Sequence, residues 1–91
     1  MIKLKLRPPL TRIIGVKEIS VNLREATLRE VLAAASAEYP KFKKAIYEDD
    51  GGFSPAYKFI VNRESINLSS DLDTMVTEDD DIFILMPIAG G

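Results

Sequence analysis

The sequence predicts one α+β domain in which a main helix packs across a mixed sheet. Three observations carry that prediction. Two stretches near the amino end alternate apolar and polar residues, Ile2, Leu4 and Leu6 in the first and Ile19, Val21 and Leu23 in the second. A period of two describes a half-buried strand with one apolar face. Further on, Leu28, Val31, Leu32 and Ala35 recur at the i, i+3, i+4, i+7 spacing of a helix with one buried stripe. The last apolar run, Ile82-Phe83-Ile84-Leu85-Met86, is hydrophobic on both faces. Such a strand belongs in the middle of a sheet or beneath a partner.

Each element has a local cause. Pro8-Pro9 halts the first strand, since neither residue can donate to a ladder. Residues 11–15 then read as a loop leading to the second strand, and the two strands form a hairpin. Thr27-Leu28-Arg29-Glu30 is a capping box, in which the threonine hydroxyl accepts from an early helical amide and the glutamate reaches back to the cap. Ala33, Ala34 and Ala37 add helix propensity, and Tyr39 extends the stripe. Pro40 ends or resets the helix, leaving 41–46 for a further short turn.

Glu48-Asp49-Asp50-Gly51-Gly52 is a loop whose glycine pair supplies positive backbone angles. Residues 57–61 read as a third strand, 66–68 as a short edge piece, and 78–81 as a polar turn before the final strand. A helix between strands implies a crossover and therefore some parallel pairing.

Composition narrows the function. With 91 residues, 46% hydrophobic and 29% charged, the chain has room for one core but not for a second domain or a deep cofactor cleft. It has no cysteine and no histidine. That excludes a disulfide framework, a thiolate nucleophile, a side-chain persulfide, a zinc-finger ligand set and imidazole acid–base chemistry. No independent enzymatic activity is expected. The net charge of -2 argues against nucleic-acid binding. Charge is nevertheless polarised along the chain, with 10 Lys/Arg against 4 Asp/Glu in residues 1–46 and 2 against 10 in residues 47–91.

Met1-Ile2-Lys3-Leu4-Lys5-Leu6-Arg7 lacks the apolar run of a signal peptide, and no stretch is apolar enough to span a membrane. A cytoplasmic location without membrane attachment is expected. Asn67-Leu68-Ser69 matches a glycosylation acceptor, which without a secretory signal reads as chance. The acidic stretch 71–81 fails the calcium-loop test: Met75 stands at position five, Val76 at the glycine position and Ile82 at position twelve. No metal site is expected. Lys41, Lys43 and Lys44 suit the carboxyl end of a helix through its dipole. Walker, dinucleotide and Ser/Lys signatures are missing.

The ending is more informative. Met86-Pro87-Ile88-Ala89-Gly90-Gly91 follows an apolar strand that a proline stops. At a glycine frequency near 7%, a terminal pair arises by chance in roughly 0.5% of chains. Without β-carbons such a tail is flexible and thin enough to thread a narrow channel. From Ile88 to Gly91 it reaches about 13 Å at about 3.3 Å per residue. A carboxylate at its tip, ionised at neutral pH, is a poor electrophile until another molecule activates it.

These residues resemble the small ubiquitin-like β-grasp sulfur carriers, most closely the MoaD-type small subunit of molybdopterin synthase. The resemblance covers nearly the whole chain. It runs through the opening Met1-Ile2-Lys3-Leu4 strand, Arg12-Ile13-Ile14-Gly15, the capped helix, Val61-Asn62-Arg63-Glu64, the acidic turn Glu78-Asp79-Asp80 and the close Pro87-Ile88-Ala89-Gly90-Gly91. The sequence departs from the pattern at Met86, where a proline is frequent, and at Asp79, where glycine is usual. Aspartate tolerates the left-handed backbone expected there. Residues 43–55 form a longer stretch than the shortest relatives carry.

The resemblance implies a single β-grasp domain over 1–91, with four to five strands, one main helix across one face, and a tail over 87–91. It also implies a two-stage cycle. A ubiquitin-activating-like enzyme using ATP and Mg adenylates the Gly91 carboxylate, and a sulfur donor protein converts it to a thiocarboxylate. The tail, with Ile88, Ala89 and Gly90, then enters a MoaE-type large subunit, in a heterotetramer, and gives sulfur to a pterin precursor. The chain itself binds no cofactor in this scheme. If Ile82, Ile84 and Met86 point inward, then Phe83, Leu85 and Pro87 face outward, either to dock partners or, for Phe83 and Leu85, to lie under loops of the same chain. Two alternatives share the chemistry or the fold: a carrier for tRNA or thiamin or a ubiquitin-like modifier, and a passive β-grasp interaction domain.

Overall fold

The structure, a computed structural model, describes residues 1–54, 56–68 and 70–86. The first alternating stretch becomes β1 (Ile2–Leu6), with Ile2, Leu4 and Leu6 buried and Lys3 exposed. It pairs antiparallel with β2 (Glu18–Val21), so that Ile2 lies across from Val21 and Leu4 across from Ile19. All four side chains enter the core. The connection is not the expected loop but a short helix, α1 (Leu10–Ile14). Pro9 already holds the helical backbone region, Leu10 and Ile14 are buried one turn apart, and Gly15 ends the turn at φ 91° with its N–H donating to the Thr11 carbonyl at 2.9 Å. Only a residue without a β-carbon takes that angle freely.

β3 (Glu25–Thr27) runs directly into α2 (Leu28–Glu38), the main helix. The capping box forms as expected. Thr27 Oγ1 accepts from the Glu30 N–H at 3.2 Å, and Glu30 Oε1 accepts from the Thr27 N–H at 3.1 Å. Leu28, Val31, Leu32 and Ala35 make the buried stripe, joined by Ser36, while Tyr39 packs half-buried at the margin. Tyr39 is extended (φ −122°), which breaks the helix, and Pro40 starts α3 (Pro40–Ile46). α3 buries Phe42 and Ile46. Lys43 and Lys44 lie in its last turn, where the dipole favours cations. In the following loop only Gly51 of the glycine pair adopts a positive φ, 88°.

The remaining strands are β4 (Lys58–Val61), β5 (Glu64–Ile66), β6 (Met75–Thr77) and β7 (Ile82–Leu85). Five of the seven strands form a sheet in the order β2-β1-β7-β4-β5. β7 sits at its centre, parallel to β1 and antiparallel to β4, as its two apolar faces require. A separate antiparallel ribbon of β3 and β6 was not anticipated. The edge strand ends at Ile66 instead of covering 66–68, because the β4–β5 hairpin turns tightly at Asn62-Arg63.

Those two residues carry positive φ, 50° and 72°, as a two-residue hairpin turn demands. Asn62 also ties the hairpin to the acidic turn: its side chain donates to Asp80 at 2.8 Å and accepts from the Asp81 N–H at 3.0 Å. The expected left-handed backbone at Asp79 is not found; among the described non-glycine residues only Asn62 and Arg63 have positive φ. The acidic turn closes through bonds between Thr77 and Asp80, which leave no position that needs glycine. The core between sheet and helices contains Phe42 and Phe59, both fully buried, with Ile82 and Ile84 of β7. Among the described residues no helix is long and apolar enough to cross a membrane.

Candidate functional site

Pro87, Ile88, Ala89, Gly90 and Gly91, which carry the expected terminal chemistry, lie outside the described residues. What the structure describes is the strand from which they continue. In β7, Ile82 and Ile84 are fully buried, locked against Leu4 and Leu6 of β1 and against Phe59 and Val61 of β4. Phe83 and Leu85 alternate to the opposite, outer face and are half-buried, as expected. Met86 is half-buried too and is not part of the core. It follows the last ladder pair, Lys58 with Leu85, so strand alternation no longer dictates where it points.

The outer face has a definite chemistry. Phe83 lies across from Lys5 on one side and Ile60 on the other, and Leu85 lies across from Lys58. The Lys5 ammonium stands 5.2 Å from the Phe83 ring centroid and the Arg7 guanidinium carbon 4.9 Å. Both distances are within the range for cation–π attraction. Lys5 also donates to Asp81 Oδ1 at 3.2 Å, while Lys3 and Glu18 approach to 4.0 Å. Beside Phe83 opens a depression of about 570 Å³, lined by Lys5, Leu6, Arg7, Pro8, Thr11, Lys17, Glu18 and Phe83.

Sequence reasoning found Phe83 and Leu85 but missed their cationic neighbours. The parallel register of β1 on β7 is what brings Lys5 to Phe83, and no local pattern encodes a register between strands so far apart in the chain. Lys41, Lys43 and Lys44 belong to the helical layer or its flank and are not part of this face.

Three carboxylates are shifted, and all downward. Glu30 is held ionised first by the Thr27 N–H and then by its hydroxyl. Glu78 is lowered first by its hydrogen bond from the Met1 ammonium and then by that group's charge. Asp80 is lowered first by the Asn62 amide and then by the Thr77 N–H. Each bond favours the charged form and each serves a turn, a cap or the chain terminus. Among the described residues no three carboxylates gather into a possible metal site.

Comparison with known proteins agrees with the architecture. The model of the ThiS family matches residues 8–91. Over 88 residues the chain is 26% identical to a protein of Archaeoglobus fulgidus assigned as a sulfur carrier, covering 97% of this chain and 98% of that one. Small archaeal modifier protein 1 of Haloferax volcanii superposes with a TM-score of 0.81 at 22% identity, over 99% of this chain and 98% of that one. A Pyrococcus furiosus chain assigned as subunit 1 of a molybdopterin converting factor superposes at 0.68 with 21% identity, over 96% and 97%. At such identities the superpositions establish the ubiquitin-like β-grasp fold.

Proposed function

Because the chain belongs to the ThiS family, we propose that it is a sulfur carrier of molybdenum cofactor biosynthesis, the small subunit of a molybdopterin synthase. The observation that carries this reading is the position of Gly90-Gly91. The family match runs through residue 91, so the pair falls inside the matched domain, continuing from the central strand β7. The close Pro87-Ile88-Ala89-Gly90-Gly91 supports the molybdopterin branch.

The cycle uses one group of this chain. The Gly91 carboxylate attacks the α-phosphate of ATP, supplied with Mg on a ubiquitin-activating-like enzyme, and pyrophosphate leaves. A persulfide sulfur of a donor protein attacks the resulting acyl-adenylate, and AMP departs. A second thiol cleaves the acyl disulfide, leaving the thiocarboxylate. The absence of cysteine fits a carrier whose sulfur rides on the main chain. Phe83, Leu85 and Pro87 dock the activating enzyme and then a MoaE-type large subunit, in a heterotetramer. There the thiocarboxylate passes sulfur to a pterin precursor. A second reading keeps the same terminal chemistry but sends sulfur to tRNA or thiamin. The Archaeoglobus relative, assigned as a sulfur carrier, is compatible with either recipient.

Intact mass spectrometry tests the proposal. A chain ending at Gly91, incubated with activating enzyme, ATP and a sulfur donor, gains the mass difference between sulfur and oxygen. A chain extended by one residue beyond Gly91 gains nothing. Conversion of pterin precursor on adding the large subunit distinguishes the molybdopterin branch. Unchanged mass of the chain ending at Gly91 overturns the carrier reading, and lysine-linked adducts in extract would assign it to protein modification instead.

A further inference from the structure

We infer that the pocket beside Phe83 receives an acidic segment of the carrier's protein partner, one apolar side chain flanked by carboxylates. This rests on the carrier reading above for the partner's existence, but on the pocket's own chemistry for its character. Lys5 and Arg7 both approach the one Phe83 ring, and Lys17 lines the same depression. Gathering like charges is unfavourable until an anion joins them. Asp81 reaches Lys5, and Glu18, which also lines the depression, stands 4.0 Å from Lys3; among the described residues neither Arg7 nor Lys17 meets a carboxylate within ion-pair distance. The pocket is thus a positive site on a chain of net charge -2.

Its lining also has an apolar part, Leu6, Pro8 and Phe83, which a small free anion would leave unused. A peptide with one apolar side chain between acids satisfies both parts. A nucleic acid satisfies them less well. It would lay a continuous row of phosphates over a face that also carries Glu18 and Asp81, whereas a short peptide can place its acids at Arg7 and Lys17 alone. The location has a purpose as well. The Arg7 N–H donates to the Ile84 carbonyl at 3.1 Å, so the cations are fixed to the strand that leads to the tail. An acidic partner would be steered to that end of the molecule before the tail engages.

The test is a titration of the isotope-labelled full chain with the peptide acetyl-Asp-Glu-Leu-Asp-Glu-amide, followed by NMR. Shifts are expected at Lys5, Arg7, Thr11, Lys17 and Phe83, fading as salt rises. The double variant Arg7→Glu, Lys17→Glu should weaken binding about tenfold or more, since like charges across an interface are strongly disfavoured. Arg7→Lys with Lys17→Arg should retain it. If the charge reversals disturb the amide spectrum, Arg7→Gln and Lys17→Gln take their place. Shifts centred elsewhere, or equal binding of the Asn/Gln version of the peptide, overturn the inference. So does tighter binding of a single-stranded oligonucleotide at the same residues. Sulfur loading of the wild-type chain is measured separately, so loss of peptide binding with intact loading counts against the pocket alone. Intact binding without loading counts against the carrier reading alone.

Discussion

Neighbouring residues of β7 should respond in opposite ways to substitution. Ile84 is fully buried in the central strand, across from Leu6 on one side and Phe59 on the other. Ile84→Ala removes three buried carbons and leaves a cavity that two flanking strands cannot close, at a cost of about 3–4 kcal/mol. For a domain of this size each kcal/mol lowers Tm by about 4–8 °C, so the loss is on the order of 15 °C or more. Leu85 is half-buried on the outer face, with Lys58 as its cross-strand partner. Leu85→Asp gives up some apolar contact and β-propensity but gains an opposite charge from Lys58, for a net cost of about 1–2 kcal/mol. Thermal and urea unfolding followed by circular dichroism measure both. Partner binding should reverse the order: Leu85→Asp abolishes complex formation with the activating enzyme, and residual folded Ile84→Ala retains it. If Leu85→Asp unfolds the chain as severely as Ile84→Ala, the outer face is part of the core. If it binds normally, Leu85 is not a docking residue.

Two further predictions concern turns and caps. Arg63→Gly should stabilise the domain by about 0.5–1 kcal/mol, since φ 72° strains any residue with a β-carbon; an unchanged urea midpoint would contradict this. The Glu30 carboxylate, its pKa lowered by the Thr27 N–H and then the Thr27 hydroxyl, contributes stability above the ordinary carboxylate range. That contribution disappears as pH falls through the lowered folded value. Glu30→Gln should therefore reduce stability near neutrality and flatten that part of the acid limb in urea melts taken across the acidic range. A limb of unchanged slope would remove the box from the account.

The elements that could be read from the sequence are those whose signal is long or chemically specific. α2 announced itself through Thr27 and Glu30 and through four apolar residues over two turns. β7 announced itself through its two apolar faces, which require neighbours on both sides. What escaped reading is short. α1 is five residues, and β3 and β6 are three each, too few for a period to emerge. β3 and β6 hold each other across the chain, with Ala26 opposite Val76, and bonds from the Leu28 N–H to Thr74 and the Glu78 N–H to Arg24 flank the ribbon. The family pattern, with glycine usual where Asp79 stands, suggests a left-handed position there. The structure instead puts that need in the hairpin at Asn62 and Arg63, where strand twist sets it. Of the candidate site, Phe83 and Leu85 were visible by alternation, whereas Lys5 and Arg7 depend on a register that only the folded sheet supplies.

One strand therefore sets two distances at once. Its inward residues, Ile82 and Ile84, fix β7 between β1 and β4, the least frayable place in the sheet. Its outward residues, Phe83 and Leu85, hold the proposed docking face in place on that rigid base. From Leu85 to Gly91 the backbone can extend at most about 20 Å, at 3.3–3.6 Å per residue. In the proposed cycle, a partner seated on Phe83 and Leu85 would meet the Gly91 carboxylate within that reach, which raises its effective concentration without any new contact. Slipping β7 by one residue would turn Phe83 and Leu85 inward and Ile82 and Ile84 outward, losing core and docking face together. The same hydrophobic alternation that holds the sheet together also sets which residues of β7 a partner would meet.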